Sequence, residues 1–553
     1  MNKKVCSFPI LFALLALLIG TCAVVFPASA QAAPTSTGSI TVSGTVASRY
    51  DAYQIFSANV VDGDSDAKIA TDLAWASDAV RDAALPVLHS AGMPNSQTTA
   101  QEAAEWLNTD SHLTSALSAQ LARSLQSSGA RPAALNAGTT AELPCGYWLI
   151  VADDDAIAQD EAGTAPIMAL VGGSAVTVKP KAATPKVKKH VLEDSTAAWQ
   201  KAADATVADD LYWRLSATVP AGLTAYDTYT VKFVDTMSAG LDPSKVAASM
   251  RVYVAAGADG GFDAVSCEGG SASSTPAKGW TDITSQCRVS VEGKAFTVRT
   301  GDLIAALGGA DAFTAGARVV AVYNAPLNSA CNHGIAKGNP NEVYLRYPRS
   351  PFADQSGDAG FTRTPSDDAC AYTWDLALTK RGSDGDKPLA GAVLSIADDR
   401  GRTLAADGTW DAEGKATVTT GEDGRVTVSG ADSGKLEVRE LKAPKGYTAF
   451  EGTRSVTVKA EGLDVDQVAA AKPKLTITAE SPLRADSADG STGSLEASLI
   501  NTPTGTPPSI TTGGFMPSTG DMAMYAAAAA AVAGAALIVV ALLVKRGGGS
   551  HKE

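Results

Sequence analysis

Apolar and polar residues alternate along most of the chain between residues 38 and 503, and the alternation falls into three stretches of different rhythm. The first opens on Ile40, Thr41, Val42 and Ser43, and closes on apolar runs at Tyr147, Trp148, Leu149 and Ile150 and at 175–178. A period of two sends successive side chains to opposite faces of a strand, so these segments predict half-buried strands. Between them the rhythm changes. Thr99, Ala100, Gln101 and Glu102 have the form of a capping box, and Leu113, Leu117, Leu121 and Leu125 recur every four residues up to Gly129, which predicts helices. The second stretch alternates through Leu211, Trp213, Leu215, Ala217 and Val219. The third is built of short segments separated by turn pairs such as Asp423, Gly424 and Ser433, Gly434, the pattern of a small β-sandwich. The predicted fold class is mainly β: tandem immunoglobulin-like β-sandwich modules at 38–181, 185–355 and 371–503, the first with a helical insertion.

Some positions break the pattern in phase. Trp374, Leu376, Leu378 and Lys380 share one parity, as do Leu436, Val438 and Glu440, and Leu495, Ala497, Leu499 and Asn501. A Lys, a Glu and an Asn are thus aimed into one small core, which is costly unless they meet there. Burial disfavours charge, so Lys380 is expected as a neutral amine and Glu440 as a protonated acid. Such an amine can attack the Asn501 side-chain carbonyl while Glu440 donates a hydrogen bond to that carbonyl and moves protons as ammonia leaves. The product is an intramolecular isopeptide bond, formed once, without turnover.

The second stretch repeats the theme. Val187, Lys189 and Val191 share a face, as do Val231, Phe233 and Asp235, and Asn341, Val343, Leu345 and Tyr347. Lys189 is assigned to Asn341 with Asp235 as the assisting carboxyl, with Lys188 and Asn339 the nearest alternatives. No lysine stands on the opening strand of the first stretch, so no such bond is expected there.

The two ends give an address. Residues 1–30 carry Lys3 and Lys4, an apolar run and a closing Ala28, Ser29, Ala30, the layout of a secretory signal peptide. Residues 504–553 hold a stalk, then Met516, Pro517, Ser518, Thr519 and Gly520, then an uncharged span at 522–544 long enough for a transmembrane helix, then a basic tail beginning at Lys545 and Arg546. The five-residue motif resembles the Leu-Pro-x-Thr-Gly sorting signal of Gram-positive surface proteins, with Met for Leu. The resemblance implies that a sortase cleaves between Thr519 and Gly520 and holds the Thr519 carbonyl as a thioester for an amine to take.

The whole chain has a net charge of −14, and processing to 31–519 brings it to −17, which argues against a nucleic-acid partner. No phosphate loop, catalytic Ser/His/Asp set or histidine-based metal site is visible among five scattered histidines, so neither an enzyme nor a cofactor is expected. Five cysteines remain after export. Cys267 with Cys287, and Cys331 with Cys370, are the candidate disulfides, with Cys145 left single and buried.

These residues together resemble the sortase-assembled major (backbone) pilins of Gram-positive bacteria. The run from Leu378 to Lys380, the segment through Glu440 to Pro444, Lys445, Gly446 and Tyr447, and Ile500, Asn501, Thr502, Pro503 are similar to a collagen-binding-protein B-type pilin domain. Asp235, Thr236, Met237, Ser238 and the run through Asn341, Val343 and Tyr347 look like the fimbrial isopeptide-forming domain. Val176, Thr177, Val178, Lys179, Pro180 and Lys181 resemble the pilin motif, with Lys179 where a Tyr is usual. The resemblance implies that Lys181 of one subunit takes Thr519 of the next, with sortase, identical subunits, accessory pilins and peptidoglycan as partners and the cell wall as location. The alternative is a monomeric wall-anchored adhesin or an accessory pilin. The host ligand is not identified by the sequence.

Overall fold

The computed structural model describes residues 36–505, apart from 45, 65–66, 110–111, 181–183, 222, 258–266, 269–270 and 273–277. The expected signal peptide, Lys181, the sorting motif and the 522–544 span lie outside the described residues. Among the described residues no helix is long and apolar enough to cross a membrane.

The fold is mainly β, with several sheets. In the first module a five-stranded sheet holds the strands Lys68–Trp75, Arg49–Asp62, Gly146–Ala152 and Ile167–Val171, with Ala133–Asn136 beside Arg49–Asp62. Its two faces are sorted by parity. Tyr50, Ala52, Trp148 and Ile150 pack toward a three-stranded sheet, while Tyr53, Ile55, Leu149 and Val151 pack toward helices. In the small sheet Thr37–Val42 runs antiparallel to Thr140–Pro144 and parallel to Val176–Val178.

The helices are α1 (Asp78–Ser90), α2 (Ala100–Asn108) and α3 (Ser115–Ser127). The Thr99 side chain caps α2 and Glu102 answers it, closing the box read in the sequence. Leu117, Leu121 and Leu125 are buried on α3, but Leu113 is exposed, because Thr114 caps the helix N-terminus and leaves Leu113 outside it.

The second module is a sandwich. One sheet runs Ala198–Gln200, Val187–Glu193, Tyr212–Thr218, Arg318–Asn324, Arg251–Ala255, Thr281–Asp282. The other contains Asp367–Tyr372, Asn339–Pro348, Lys232–Met237 and Ala295–Arg299. The strands Phe361–Arg363 and Asp367–Tyr372 both pair with Asn339–Pro348, so this module continues to residue 372 and does not stop at 355. Residues 353–360, which span the expected end of the module, are a loop within the sandwich.

In the third module Trp374–Gly382 lies parallel to Ser494–Pro503 and antiparallel to Arg425–Ala431. A second sheet places Gly434–Lys442 between Val393–Ala397 and Thr453–Glu461. Trp374, Leu376, Leu378, Leu436, Val438, Leu495, Ala497 and Leu499 form the core between them.

Candidate functional site

Each of the two sandwich modules buries a lysine, a carboxyl and an asparagine at the centre of its core. In the third module Lys380 is 0% exposed, Asn501 2% and Glu440 6%. Parity put them there. Along Gly434–Lys442, Leu436, Val438 and Glu440 are buried while Glu437 and Arg439 between them are exposed. The strands bring the side chains together, because Lys380 pairs with Leu499 and Gly382 with Asn501 in the parallel register.

The Lys380 ammonium donates to the Leu499 carbonyl at 3.2 Å, and its nitrogen lies 3.7 Å from Glu440 Oε1. The Asn501 amide nitrogen donates to both Glu440 oxygens, at 2.9 and 3.0 Å, and Glu440 also accepts from the Phe450 N–H at 3.1 Å. This differs from the contact expected from the sequence. Glu440 faces the amide nitrogen of Asn501 and not its carbonyl, whose Oδ1 is buried without a hydrogen-bond partner. A carboxylate accepts only, and the N–H groups are the donors within its reach. Burial pulls Lys380 down to about 8, against the opposing pull of Glu440.

The middle module holds Lys189, Asp235 and Asn341, all 0% exposed. Lys189 ion-pairs with Asp235 Oδ2 and donates to the Tyr323 hydroxyl at 2.9 Å. That hydroxyl donates to Asp235 Oδ2 at 3.1 Å and accepts from the Asn341 amide nitrogen at 2.9 Å. The lysine nitrogen lies 5.5 Å from the ring centres of both Trp213 and Tyr323, within range of a cation–π attraction. Asp235 Oδ1 and Asn341 Oδ1 are buried without hydrogen-bond partners. Burial pulls Lys189 down to about 8 and pushes the Asp235 carboxyl up, each opposed by the other's charge.

The two alternatives stand elsewhere. Lys188 is exposed, and the buried Asn339 amide is taken up by the Asn332 backbone and the Ala371 carbonyl. Tyr323 was not singled out in the sequence, although the signal was available: on Arg318–Asn324 it shares the parity of Val319 and Ala321, both buried. An inward hydroxyl on an apolar face is the same anomaly as an inward lysine.

The cysteines do not follow the expected pairing. Cys331 and Cys370 are free thiols, as are Cys287 and the buried Cys145, and the Cys267 side chain lies outside the described residues. The buried Cys370 thiol donates to the Ala371 carbonyl at 3.7 Å, while the Asn339 amide joins the Asn332 backbone to the Ala371 carbonyl and so ties together the segments that carry Cys331 and Cys370. The strand Val176–Val178 continues the motif parity, with Thr177 and Lys179 exposed and Val178 buried.

Residues 375–472 match the family described as SpaA, a prealbumin-like fold domain, and this interval contains Lys380 and Glu440. The trypsin-resistant surface T6 protein of Streptococcus pyogenes serotype M6 is 29% identical over 143 residues, 24% of this chain and 24% of that protein, so the match spans about a quarter of the relative's length. Among solved structures, the T6 backbone pilin of serotype M6 Streptococcus pyogenes is 17% identical with a TM-score of 0.46, over 85% of this chain and 98% of that one. The full-length major pilin SpaD of Corynebacterium diphtheriae is 15% identical with a TM-score of 0.41, over the same shares. Residues 375–472 thus match a SpaA-type prealbumin-like domain, and the chain is similar to backbone pilins of Gram-positive bacteria.

Proposed function

We propose that this chain is the major structural subunit of a covalently polymerised surface pilus, stiffened by one Lys–Asn isopeptide bond in each sandwich module and serving adhesion. The observation that carries the reading is the pair of fully buried lysines, each in contact with a carboxyl in a cluster to which an asparagine amide is hydrogen-bonded. A buried unpaired charge is expensive, and even a buried ion pair stabilises little compared with apolar packing. Two such clusters at equivalent depth are better understood as chemistry than as packing.

In the third module Glu440 takes a proton from Lys380, and the free amine attacks the Asn501 side-chain carbon. The Nζ–C bond forms and the C–Nδ2 bond breaks. The lysine nitrogen gives up two protons in all. One passes through Glu440 to Nδ2, which leaves as ammonia, and the other stays on Glu440. The 2.9 and 3.0 Å contacts from Nδ2 to Glu440 suit that delivery. Lys189, Asn341 and Asp235 have the corresponding roles in the middle module.

Between subunits, a sortase cysteine cleaves at Met516, Pro517, Ser518, Thr519, Gly520 and transfers the Thr519 carbonyl to the Lys181 amine of the next copy. Head-to-tail joining with no closing symmetry makes an open fibre. The last subunit passes to peptidoglycan, which places the fibre on the cell wall.

Wall extracts boiled in detergent and reductant test the proposal by immunoblot. The expected result is a high-mass ladder that collapses to monomer in Lys181→Ala. A single band in the unmodified chain would overturn polymerisation and leave a monomeric wall-anchored adhesin, and a ladder unchanged by the substitution would remove Lys181 from the linkage.

A further inference from the structure

The two buried clusters differ in one connection. Glu440 meets the leaving nitrogen of Asn501 directly. In the middle module the Asn341 amide nitrogen donates instead to Tyr323, and it is the Tyr323 hydroxyl that touches Asp235. A phenol oxygen has one hydrogen to give and two lone pairs to offer. All three are used: it donates to Asp235 Oδ2 at 3.1 Å and accepts from Lys189 and from Asn341, each at 2.9 Å. Its ring is fully buried and held edge-on against Phe296, with centroids 4.7 Å apart, so the hydroxyl cannot wander from this junction. Burial also lifts its pKa well above the usual phenol range, which keeps the proton on the oxygen.

We propose that Tyr323 is a catalytic residue of the middle module, the relay that carries a proton from Asp235 to the departing nitrogen of Asn341. The inference rests on the cross-linking reading given above. Asp235 first takes a proton from Lys189, and the amine adds to the Asn341 side-chain carbon. The amide nitrogen then loses its conjugation and gains a lone pair, so its hydrogen bond with Tyr323 reverses. The phenol proton moves to Nδ2 as the C–N bond breaks, the Asp235 proton restores the phenol, and ammonia leaves. The new linkage nitrogen gives its second proton to Asp235, which ends as a neutral carboxyl, the form its burial favours. In the third module one carboxyl spans the whole distance; in the middle module a carboxyl and a phenol share it.

The test follows residues 31–519, which contain every described residue, after cell-free synthesis, mapping the Lys189–Asn341 and Lys380–Asn501 linkages by peptide mass over time. Tyr323→Phe is expected to slow the first linkage by about 10²- to 10⁴-fold, the usual worth of general acid–base assistance, and to leave the second at its ordinary rate. A fluorinated tyrosine at 323 keeps the shape and the hydroxyl but makes the phenol more acidic. A relay responds to that acidity with a changed rate, whereas a hydroxyl that only positions its neighbours does not. The relay is overturned if folded Tyr323→Phe links Lys189 to Asn341 at the unmodified rate, or if the fluorinated chain reacts at an unchanged rate. If the unmodified chain never links Lys189 to Asn341, the cross-linking reading of that module fails first, a result distinct from variants that react as fast as their parent.

Discussion

At the scale of single residues, the cores of both sandwich modules were legible where a charged or amide side chain fell in step with apolar neighbours. Lys189, Lys380 and Asn501 could each be placed by counting in twos, because a strand allows only two faces. What counting in twos does not supply is who touches whom across a core. It did not say that Asn501 offers its nitrogen to Glu440, and it did not bring Tyr323 into the middle cluster, because those contacts depend on how two sheets pack and not on the phase of either. The same limit explains the cysteines: Cys331 and Cys370 flank a module junction in sequence, but both are free thiols, and that of Cys370 donates to the Ala371 carbonyl. The residue-scale prediction concerns Glu440. Replacing it with Ala removes the only carboxyl that contacts both Lys380 and Asn501 among the described residues, so the intact chain is expected to lose one ammonia mass and not two. Mass spectrometry of residues 31–519 reads this directly, and a chain that still loses two would remove Glu440 from the reaction.

At the scale of elements, strand alternation survived better than element ends. The Thr99 and Glu102 box marks the start of α2, yet the leucine repeat opened on Leu113, ahead of the Thr114 cap of α3, and the two strands after residue 355 were hidden behind a polar loop. With three and six residues, they gave too few alternations to register. The elements also set what each bond does. Trp374–Gly382 and Ser494–Pro503 are hydrogen-bonded neighbours in one sheet, whereas Val187–Glu193 and Asn339–Pro348 belong to the two different sheets of their sandwich. The Lys380–Asn501 bond would therefore pin two adjacent strands, and the Lys189–Asn341 bond would rivet one layer to the other. Either closes a loop of more than a hundred residues, and by the chain-entropy reasoning used for disulfides that is worth about 5 kcal/mol through the unfolded state. Lys380→Met keeps volume but removes the amine, so urea unfolding of the third module is expected to show a loss of about that size. An unchanged midpoint would mean that no bond is present to lose.

At the scale of the whole molecule, the middle and third modules meet through an acidic seam. Trp374 donates its indole N–H to Asp204 at 2.6 Å, and the Ser433 N–H donates to the same carboxyl oxygen at 3.0 Å. Glu193 accepts from the Asp204 N–H at 3.2 Å, while Arg400 and Arg402 of the third module pair with Asp194 and Asp209 of the second. Burial, followed by the charge of Asp204, pushes Glu193 up to about 7, and burial with the same neighbour pushes Asp432 well above its ordinary value. An acid whose pKa is raised by folding stabilises the folded state below its unfolded pKa, and that stability is lost as pH rises through the folded value. For Glu193 the window runs from its usual range, about 4.5, to about 7. Scattering profiles of residues 31–519 are expected to show the seam tight at the acid end and looser toward neutrality, with Glu193→Gln weakening the dependence. Profiles identical across that window would contradict a role for the seam.

The short strand Val176–Val178 closes the first module against Thr37–Val42 just ahead of Lys181. In a fibre joined at Lys181, tension enters each subunit after that module is complete and never runs through it. With both proposed cross-links formed, the load would pass from Lys181 to Lys189, cross to Asn341, follow residues 342–379, and cross again from Lys380 to Asn501 on its way to Thr519. The first module, with its helical insertion, lies outside this covalent line, so an opening strand without a lysine gives up no tensile strength. Within the sandwiches, the slack available to a pulling force is confined to about 38 residues, which fully drawn out span about 130 Å.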